Sequence, residues 1–162
     1  MTGIAVTLAL AGAAVSAPLS VQGVNIVDAE GQALTLRGAN WGWWGCVEPG
    51  DARLMRSLGA NVVRIAFFYS NITDPPGSEN LGGEGLALLD ALCRWAQEAG
   101  LHFFLDCHGP PGGCNTAQWC EGGKNKLWTD QDAQELMVAM WRRLARRYRH
   151  HDRLLAYELM NE

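Results

Sequence analysis

The fold is read most directly from Leu154-Leu155-Ala156-Tyr157-Glu158-Leu159-Met160-Asn161-Glu162. Its short apolar run is typical of a strand buried on both faces, as in a parallel sheet that helices cover. The run ends in an amide and a carboxylate. In a closed parallel barrel the carboxyl ends of the strands meet at one rim, which is where the chemistry of such barrels lies. We therefore treat Asn161 and Glu162 as candidate site residues; the alternative is a chain end whose last glutamate only faces water.

Three upstream segments repeat this pattern of an apolar strand that ends in polar groups. Residues 61–68 and 101–108 are apolar runs, and an earlier strand over residues 33–36 continues through Asn40. A helical pattern follows each of them, so crossovers join the strands and make them parallel. Long loops follow the strands and short turns follow the helices, as in a barrel whose site lies on one rim. The predicted fold class is α/β, with the first four β/α units of a (β/α)8 TIM barrel, a half-barrel.

A β-hairpin precedes these units. Residues 24–28 and 33–36 are predicted to be two strands, joined through Ala29-Glu30-Gly31-Gln32 with a glycine at a position that favours positive φ. The last helix is predicted to begin at a capping box formed by Thr129 and Asp132.

Composition places the chain among globular domains. It has 162 residues, of which 48% are hydrophobic and 19% charged, enough apolar material for a sizeable core. The formal net charge of −4 argues against nucleic acid as the principal partner. No stretch is long and apolar enough to span a membrane. The 7 tryptophans favour either a dense core or a flat aromatic binding face.

Residues 1–20 resemble a signal peptide. An apolar run over residues 4–11 is followed by Val15-Ser16-Ala17, small residues of the kind that precede a cleavage site. The usual Lys or Arg before the apolar run is missing. We expect a secreted protein in which residues 1–20 form the leader and residues 21–162 the domain.

The five cysteines divide into two groups. Cys93 falls on the apolar side of a predicted helix and Cys107 within a strand, so both are expected to be small core residues. Cys46, Cys114 and Cys120 fall in predicted loops, and Cys114 and Cys120 are close enough in sequence to cross-link their own loop. The pairing among these three stays open. No C-x-x-C pair is present, and we predict no metal site.

Side chains alternate across a strand, so the parity of a position indicates which groups share the barrel interior. Charged groups in such an interior must pair or titrate, because isolated ones are costly to bury. A structural network explains the buried carboxylates. A substrate site explains better why polar residues fall at strand ends. The interior is predicted to hold Arg64, Asp106, His108, Glu158 and Glu162.

These residues also carry a resemblance to glycoside hydrolase family 5, the cellulase family. Arg37-Gly38-Ala39-Asn40-Trp41-Gly42-Trp43-Trp44, with Glu48-Pro49 just after, resembles the first strand of that family. Val63-Arg64-Ile65 resembles its second strand and Leu105-Asp106-Cys107-His108-Gly109 its third. Tyr157-Glu158-Leu159-Met160-Asn161-Glu162 resembles its fourth. The four matches occur in the family's order.

The family consists of (β/α)8 barrels that act on β-linked glycans with retention of configuration. The resemblance implies that Glu162 is the general acid/base and that Asn161 binds the sugar beside the cleaved bond. It implies that Arg64 and His108 orient the nucleophile and that sugar. The candidate substrate-binding residues are Asn40, Trp43, Trp44, Glu48, Asn115 and Trp119.

Two features depart from the family. Its nucleophile is a glutamate on strand seven, whereas this chain ends on strand four, and such barrels need about 250 residues. We therefore expect the N-terminal half of a catalytic domain, a fragment that is inactive alone and monomeric when full length. The loop after the third strand resembles the exo-β-1,3-glucanase branch up to Asn115 and then departs with Trp119 and Cys120. The glycosidic linkage therefore stays open.

The predicted function is retaining hydrolysis of β-glucosidic bonds in a polysaccharide such as β-glucan, without a cofactor. An exo-β-1,3-glucanase or a mannanase is the alternative within the family. The rival from another class is a barrel that binds glycan without cleaving it. A metal-dependent barrel hydrolase would usually have His-x-His on the first strand, where Asn40 stands.

Overall fold

The elements form a hairpin followed by alternating strands and helices. The computed structural model describes residues 19–42 and 44–162, without the side chain of Trp44. The strands are β1 (Ser20–Gln22), β2 (Asn25–Val27), β3 (Gly38–Trp41), β4 (Val62–Phe68), β5 (His102–Gly109) and β6 (Leu154–Glu158). The helices are α1 (Pro49–Ser57), α2 (Gly83–Glu98) and α3 (Gln131–Tyr148). Short 3-10 turns lie at Trp44–Cys46, Tyr69–Ile72 and Glu121–Gly123.

Strands β3 to β6 form one parallel sheet in chain order. One helix separates each strand from the next, so every connection is a crossover that returns the chain to the same end of the sheet. This arrangement confirms the predicted α/β class. The described part of the chain is a partial (β/α) barrel of four strands and the helices between them.

The hydrophobic core lies between the outer face of this sheet and the helices. Alternate residues of β4 and β5 are fully buried there: Val63, Ile65, Phe67, Phe103 and Leu105. Trp141 of α3 packs edge-on against Phe67 at 5.7 Å and against Tyr157 of β6 at 5.4 Å between ring centroids. Because this set of side chains faces outward, the intervening residues of the same strands face the barrel interior.

The N-terminal hairpin differs from the predicted one. β1 pairs antiparallel with β2, and the predicted partner, residues 33–36, contributes a single bridge between Val27 and Ala33. The side chain of Asp28 accepts two backbone N–H groups and forms a tight turn there. The predicted pairing of residues 24–28 with residues 33–36 is therefore present only at this bridge and at the hydrogen bond that the Leu34 N–H donates to the Ile26 carbonyl oxygen at 2.8 Å, whereas β1 pairs along the whole of β2.

The predicted leader lies outside the described residues, apart from Leu19 and Ser20, so export stays a prediction. Ser20 pairs with Val27 in the hairpin. Among the described helices, none has the length and apolar character that crossing a bilayer requires.

α3 begins one residue later than the predicted capping box. Asp130 is the N-cap, and its Oδ1 accepts the backbone N–H groups of Asp132 at 3.0 Å and Ala133 at 3.3 Å. Thr129 lies outside the helix. The predicted box was wrong because Asp130 already satisfies the N–H groups that Thr129 was expected to accept, and its negative charge suits the positive end of the helix dipole.

Replacing Asp130 with alanine is expected to lower the free energy of unfolding by about 1 kcal/mol, because two N–H groups at the helix start lose their acceptor. Thr129→Ala is the matched control and should leave stability unchanged. Urea unfolding of the two variants checks this. A larger loss of unfolding free energy for Thr129→Ala than for Asp130→Ala would instead support the predicted capping box of Thr129 and Asp132.

Candidate active site

Arg64 binds side chains from each of the other three strands of the sheet. Its Nε and Nη2 each donate to one carboxylate oxygen of Glu158 at 2.8 Å. Its Nη1 donates to Asn40 Oδ1 at 3.2 Å, and its Nη2 donates to Asn161 Oδ1 at 3.0 Å. The same Nη2 lies 2.9 Å from Asp106 Oδ2. One guanidinium on β4 therefore binds groups that follow or belong to β3, β5 and β6.

The strand register explains why these groups meet. Asn40 lies opposite Arg64 in the β3–β4 pair, and Asp106 lies opposite Glu158 in the β5–β6 pair. Each of these residues falls on the parity that faces inward. The polar interior is thus a property of the alternation within each strand combined with parallel pairing.

The alternation stops where β6 stops, at Glu158. Parity placed Met160 beside Glu158, but Met160 packs against the cluster that contains Cys114. Asn161 instead joins Glu158 on Arg64. The prediction of a regular strand to residue 162 was wrong, because the chain leaves the extended pairing after Glu158 and the side-chain period of two no longer applies.

Asp106 is the buried carboxylate behind His108. It is fully buried, and its Oδ2 lies 2.8 Å from His108 Nδ1. Burial raises the pKa of Asp106, while the hydrogen bond from His108 and the charge of Arg64 act against that rise. With Nδ1 occupied by Asp106, Nε2 is the imidazole nitrogen of His108 that a ligand can use.

The hydrogen bond from Arg64 lowers the pKa of Glu158, against the opposing effect of burial. Ionised Glu158 therefore stabilises the folded chain at pH values above its ordinary pKa, and this contribution is lost as the pH falls through the lowered folded pKa. We expect wild type to unfold at a higher temperature than Glu158→Gln between about pH 5 and pH 7, and the gap to close below about pH 4.

Thermal unfolding measured across this pH range checks the prediction. Glu98→Gln is the control, since Glu98 lies 3.9 Å from Arg94 in an exposed pair and its removal should have little effect at any pH. A gap between wild type and Glu158→Gln that widens on acidification would contradict the assignment.

A β-bulge positions His108. Phe67 pairs with Cys107, whereas Phe68 pairs with Gly109, so His108 is an extra residue on β5. Such bulges re-aim side chains beside active sites. The close approach of the β5 backbone to the Phe68 ring also requires a glycine at position 109, because a Cβ there would lie 2.3 Å from Phe68 Cδ1.

A groove of about 930 Å³ opens beside this network at the strand ends. The rings of His108 and Trp119 lie 5.2 Å apart with 36° between their planes, and Phe68 meets His108 edge-on at 5.6 Å. Trp119 is 41% exposed, so part of its indole face is available to a ligand. Flat aromatic surface beside polar groups suits the C–H faces and hydroxyls of a sugar. The described lining residues are Asn40, Gly42, Gly45, Cys46, Ala66, Phe68, Asn71, Gly85, Leu88, His108, Trp119 and Glu162.

The structure brings most of the predicted site residues to the network or the groove: Asn40, Arg64, His108, Trp119, Asn161 and Glu162. The described lining of the groove includes neither Glu48 nor Asn115. Glu48 is the N-cap of α1, where its backbone N–H donates to Asp51 Oδ2 at 2.8 Å. Asn115 Oδ1 accepts the backbone N–H of Ala117 at 2.8 Å and so shapes its own loop. Trp43 and the side chain of Trp44 lie outside the described part of the chain.

Phe68, Asn71 and Leu88 are among the groove residues that were not predicted as site residues. Parity pointed to Phe68, which lies two residues after Ala66 on the inward side. Asn71 and Leu88 come from a 3-10 turn and from α2, and they reach the groove only through tertiary packing, for which the sequence carries no local signal.

A depression on the outside of α3 lacks the features of this groove. It has a volume of about 1050 Å³ and lies between residues 77–79 and the exposed face of α3, with no aromatic residue or strand end among its described lining. Over residues 19–42 and 44–162, no group of three or more His, Cys, Asp or Glu side chains is arranged to hold a metal ion.

Comparison with known proteins identifies the family. Residues 27–162 match the cellulases, glycosyl hydrolase family 5. The chain is similar to a β-xylosidase of Phanerodontia chrysosporium, with 29% identity over 185 aligned positions that cover 89% of this chain and 39% of that protein. It is also similar to a probable glucan 1,3-β-glucosidase A of Aspergillus niger, with 31% identity over 121 positions that cover 74% of this chain and 29% of that protein.

Among solved structures, an endogalactoceramidase superposes with a TM-score of 0.68 and 21% identity, covering 90% of this chain and 44% of that one. This likeness shows the fold. The chain spans less than half the length of each of these proteins. Because the family match covers most of its residues, from the hairpin to the last strand end, the chain belongs to glycosyl hydrolase family 5, the cellulase family of glycoside hydrolases.

Proposed function

We propose that this chain supplies the acid/base side of a retaining β-glycosidase that cleaves β-glucosidic bonds in a polysaccharide. The observation that carries the proposal is that Arg64 binds polar side chains from β3, β5 and β6 and the Asn161 amide, beside an aromatic groove that Glu162 lines. Similarity to a protein named as a glucan 1,3-β-glucosidase supports a β-glucan substrate. Similarity to a β-xylosidase makes β-xylosides the next class to test.

Glu162 is the proposed general acid/base. It lines the groove, and within residues 19–42 and 44–162 it takes part in no ion pair. Glu158, in contrast, is bound through both carboxylate oxygens by Arg64. Glu162 is therefore the groove carboxyl that can exchange a proton: its acid form protonates the glycosidic oxygen, and its carboxylate then takes a proton from the attacking water.

Asn161 and His108 are proposed to bind the sugar at the cleaved bond. Arg64 fixes the amide of Asn161 through Oδ1, and among the described residues Asn161 Nδ2 has no hydrogen-bond partner. That amide nitrogen is buried and oriented, and it becomes a donor for a sugar hydroxyl or for a second carboxylate when neighbouring side chains move to let that group approach. His108, held by Asp106, contributes Nε2 from the neighbouring strand.

Retaining hydrolysis needs a second carboxyl group about 5–5.5 Å from the first. Glu162 is the sole carboxylate among the described groove residues, and Asp106 and Glu158 are both paired with Arg64. We therefore propose that residues 1–162 do not hydrolyse glycosides by themselves and that another part of the barrel supplies the nucleophile.

The test is an assay of a polypeptide that contains these residues within a complete barrel, on barley β-glucan and on aryl β-glucosides and β-xylosides. Proton NMR of the first product is expected to show the β-anomer, because two displacements restore the starting configuration. Residues 1–162 alone are the matched control and should release no sugar. An α-anomer as first product would contradict the retaining mechanism, and binding without any product would favour the non-catalytic barrel.

A further inference from the structure

The loop between β5 and α3 holds two buried thiols in contact. The Sγ atoms of Cys114 and Cys120 lie 3.1 Å apart, and the backbone N–H of Cys114 donates to Cys120 Sγ at 3.1 Å. Cys120 is fully buried and Cys114 is 3% exposed. The third loop cysteine, Cys46, is exposed and lines the groove, which neither Cys114 nor Cys120 does among the described residues. Of the three pairings that the sequence left open, the fold therefore brings together Cys114 and Cys120.

The backbone of this loop is arranged for that contact. Gly113 has a φ of +73°, and a Cβ there would lie 2.9 Å from the carbonyl oxygen of Cys120. A glycine is needed at such a close approach with positive φ. Around the two thiols lie only a few apolar side chains, Leu127 and Ala133 with Met137 and Met160, so this cluster is small compared with the main core.

We propose that Cys114 and Cys120 form a disulfide that fixes this loop and holds Trp119 against His108. Trp119 directly precedes Cys120, and its ring lies 5.2 Å from that of His108. Cys114 Sγ also lies 3.4 Å from the backbone oxygen of Asn161. The cross-link therefore closes the loop that carries Trp119, and it does so beside the chain that follows β6. Its role in sugar binding rests on the proposed function; its formation does not.

The oxidation needs an external disulfide, such as oxidised glutathione or a thiol oxidoreductase of an export compartment. The two cysteine thiols lose two protons and two electrons and form one S–S bond, while the external disulfide is reduced to two thiols. Burial raises the pKa of the Cys114 thiol to about 12, so thiolate attack requires the loop to open or takes place during folding.

The expected effect is local. The two cysteines are only six positions apart, and the entropic stabilisation from a cross-link grows with the length of the loop it closes. The disulfide therefore changes the opening of its own loop more than the unfolding of the whole domain. Lys124 and Lys126, both exposed in this loop, report on that opening as trypsin sites.

Peptide mapping tests whether the bond forms. The intact polypeptide is produced in an oxidising compartment, incubated with oxidised glutathione, alkylated under denaturing, non-reducing conditions and digested with trypsin. Residues 95–124 form one tryptic peptide that contains Cys107, Cys114 and Cys120. The expected peptide carries a single alkyl group, on Cys107. Alkylation of all three cysteines would overturn the proposal.

Limited proteolysis tests what the bond does. Cleavage after Lys124 in the native protein is expected to be about tenfold faster in Cys120→Ala, and in reduced wild type, than in oxidised wild type. Cys46→Ala is the matched control and should be cleaved at the wild-type rate. Equal rates in oxidised and reduced wild type would overturn the proposal. Neither readout requires hydrolysis of a glycan, so a failure here is distinct from a failure of the proposed function.

Discussion

Glu162→Gln is expected to lower kcat/KM on β-glucan by about 10²–10⁴-fold in the polypeptide with a complete barrel, because the amide cannot donate a proton to the glycosidic oxygen. The loss should be much smaller on an aryl glycoside whose leaving group departs without protonation. A residue that only supported the fold would lower both activities equally. Steady-state kinetics on the two substrates therefore separate an acid/base role from a structural one.

Glu30→Gln is the matched control for this experiment. Glu30 is an exposed glutamate in the turn after β2 and is not among the described groove residues, so its replacement should leave both activities unchanged. Wild-type activity of Glu162→Gln on β-glucan would refute the acid/base assignment. Equal losses on both substrates would show that Glu162 has a structural role instead of an acid/base role.

Arg64→Ala is expected to lower the free energy of unfolding by about 3–5 kcal/mol, because it leaves buried charge without its partner. Most of this loss comes from Asp106, which is fully buried, because removal of Arg64 leaves His108 as the remaining partner of its carboxylate among the described residues. Glu158 contributes less, because its side chain is 36% exposed and solvent compensates part of the lost pairing.

Urea unfolding of Arg64→Ala, Arg64→Lys and Arg94→Ala checks this expectation. Lysine keeps the charge of Arg64 but cannot reproduce the paired hydrogen bonds to Glu158, so an intermediate loss is expected. Arg94 pairs with Glu98 on the surface of α2 at 3.9 Å, and its removal should cost about 0.5 kcal/mol or less. A loss for Arg64→Ala no larger than that for Arg94→Ala would show that the network does not stabilise the barrel.

Much of this architecture is contained in short-range sequence patterns. The order of strands and helices follows from apolar runs and helical periodicity, and each pattern is local to its own segment. The side chains of β3 to β6 that face the barrel interior, such as those of Asn40, Arg64 and Glu158, follow from the period of two along a strand. Parallel pairing then brings the sets together, because the carboxyl ends of all the strands point to one rim.

Other features arise from contacts between segments. The bulge that makes His108 an extra residue is a property of the β4–β5 pair, and Phe68 and Gly109 show its effect only when the two strands are side by side. Asn71 and Leu88 reach the groove through the packing of a turn and a helix. Glu48 lies outside the described lining of the groove as the N-cap of α1, and Asn115 uses its Oδ1 to accept an N–H group of its own loop.

The barrel class, the family and the residues that face inward along regular strands could therefore be predicted from the sequence, since backbone geometry alone sets that alternation. The orientation of the side chains after β6, in contrast, depends on contacts between distant segments. Once regular pairing ceases at Glu158, the direction of a side chain depends on its neighbours, and Arg64 draws Asn161 inward while Met160 packs against the loop that carries Cys114.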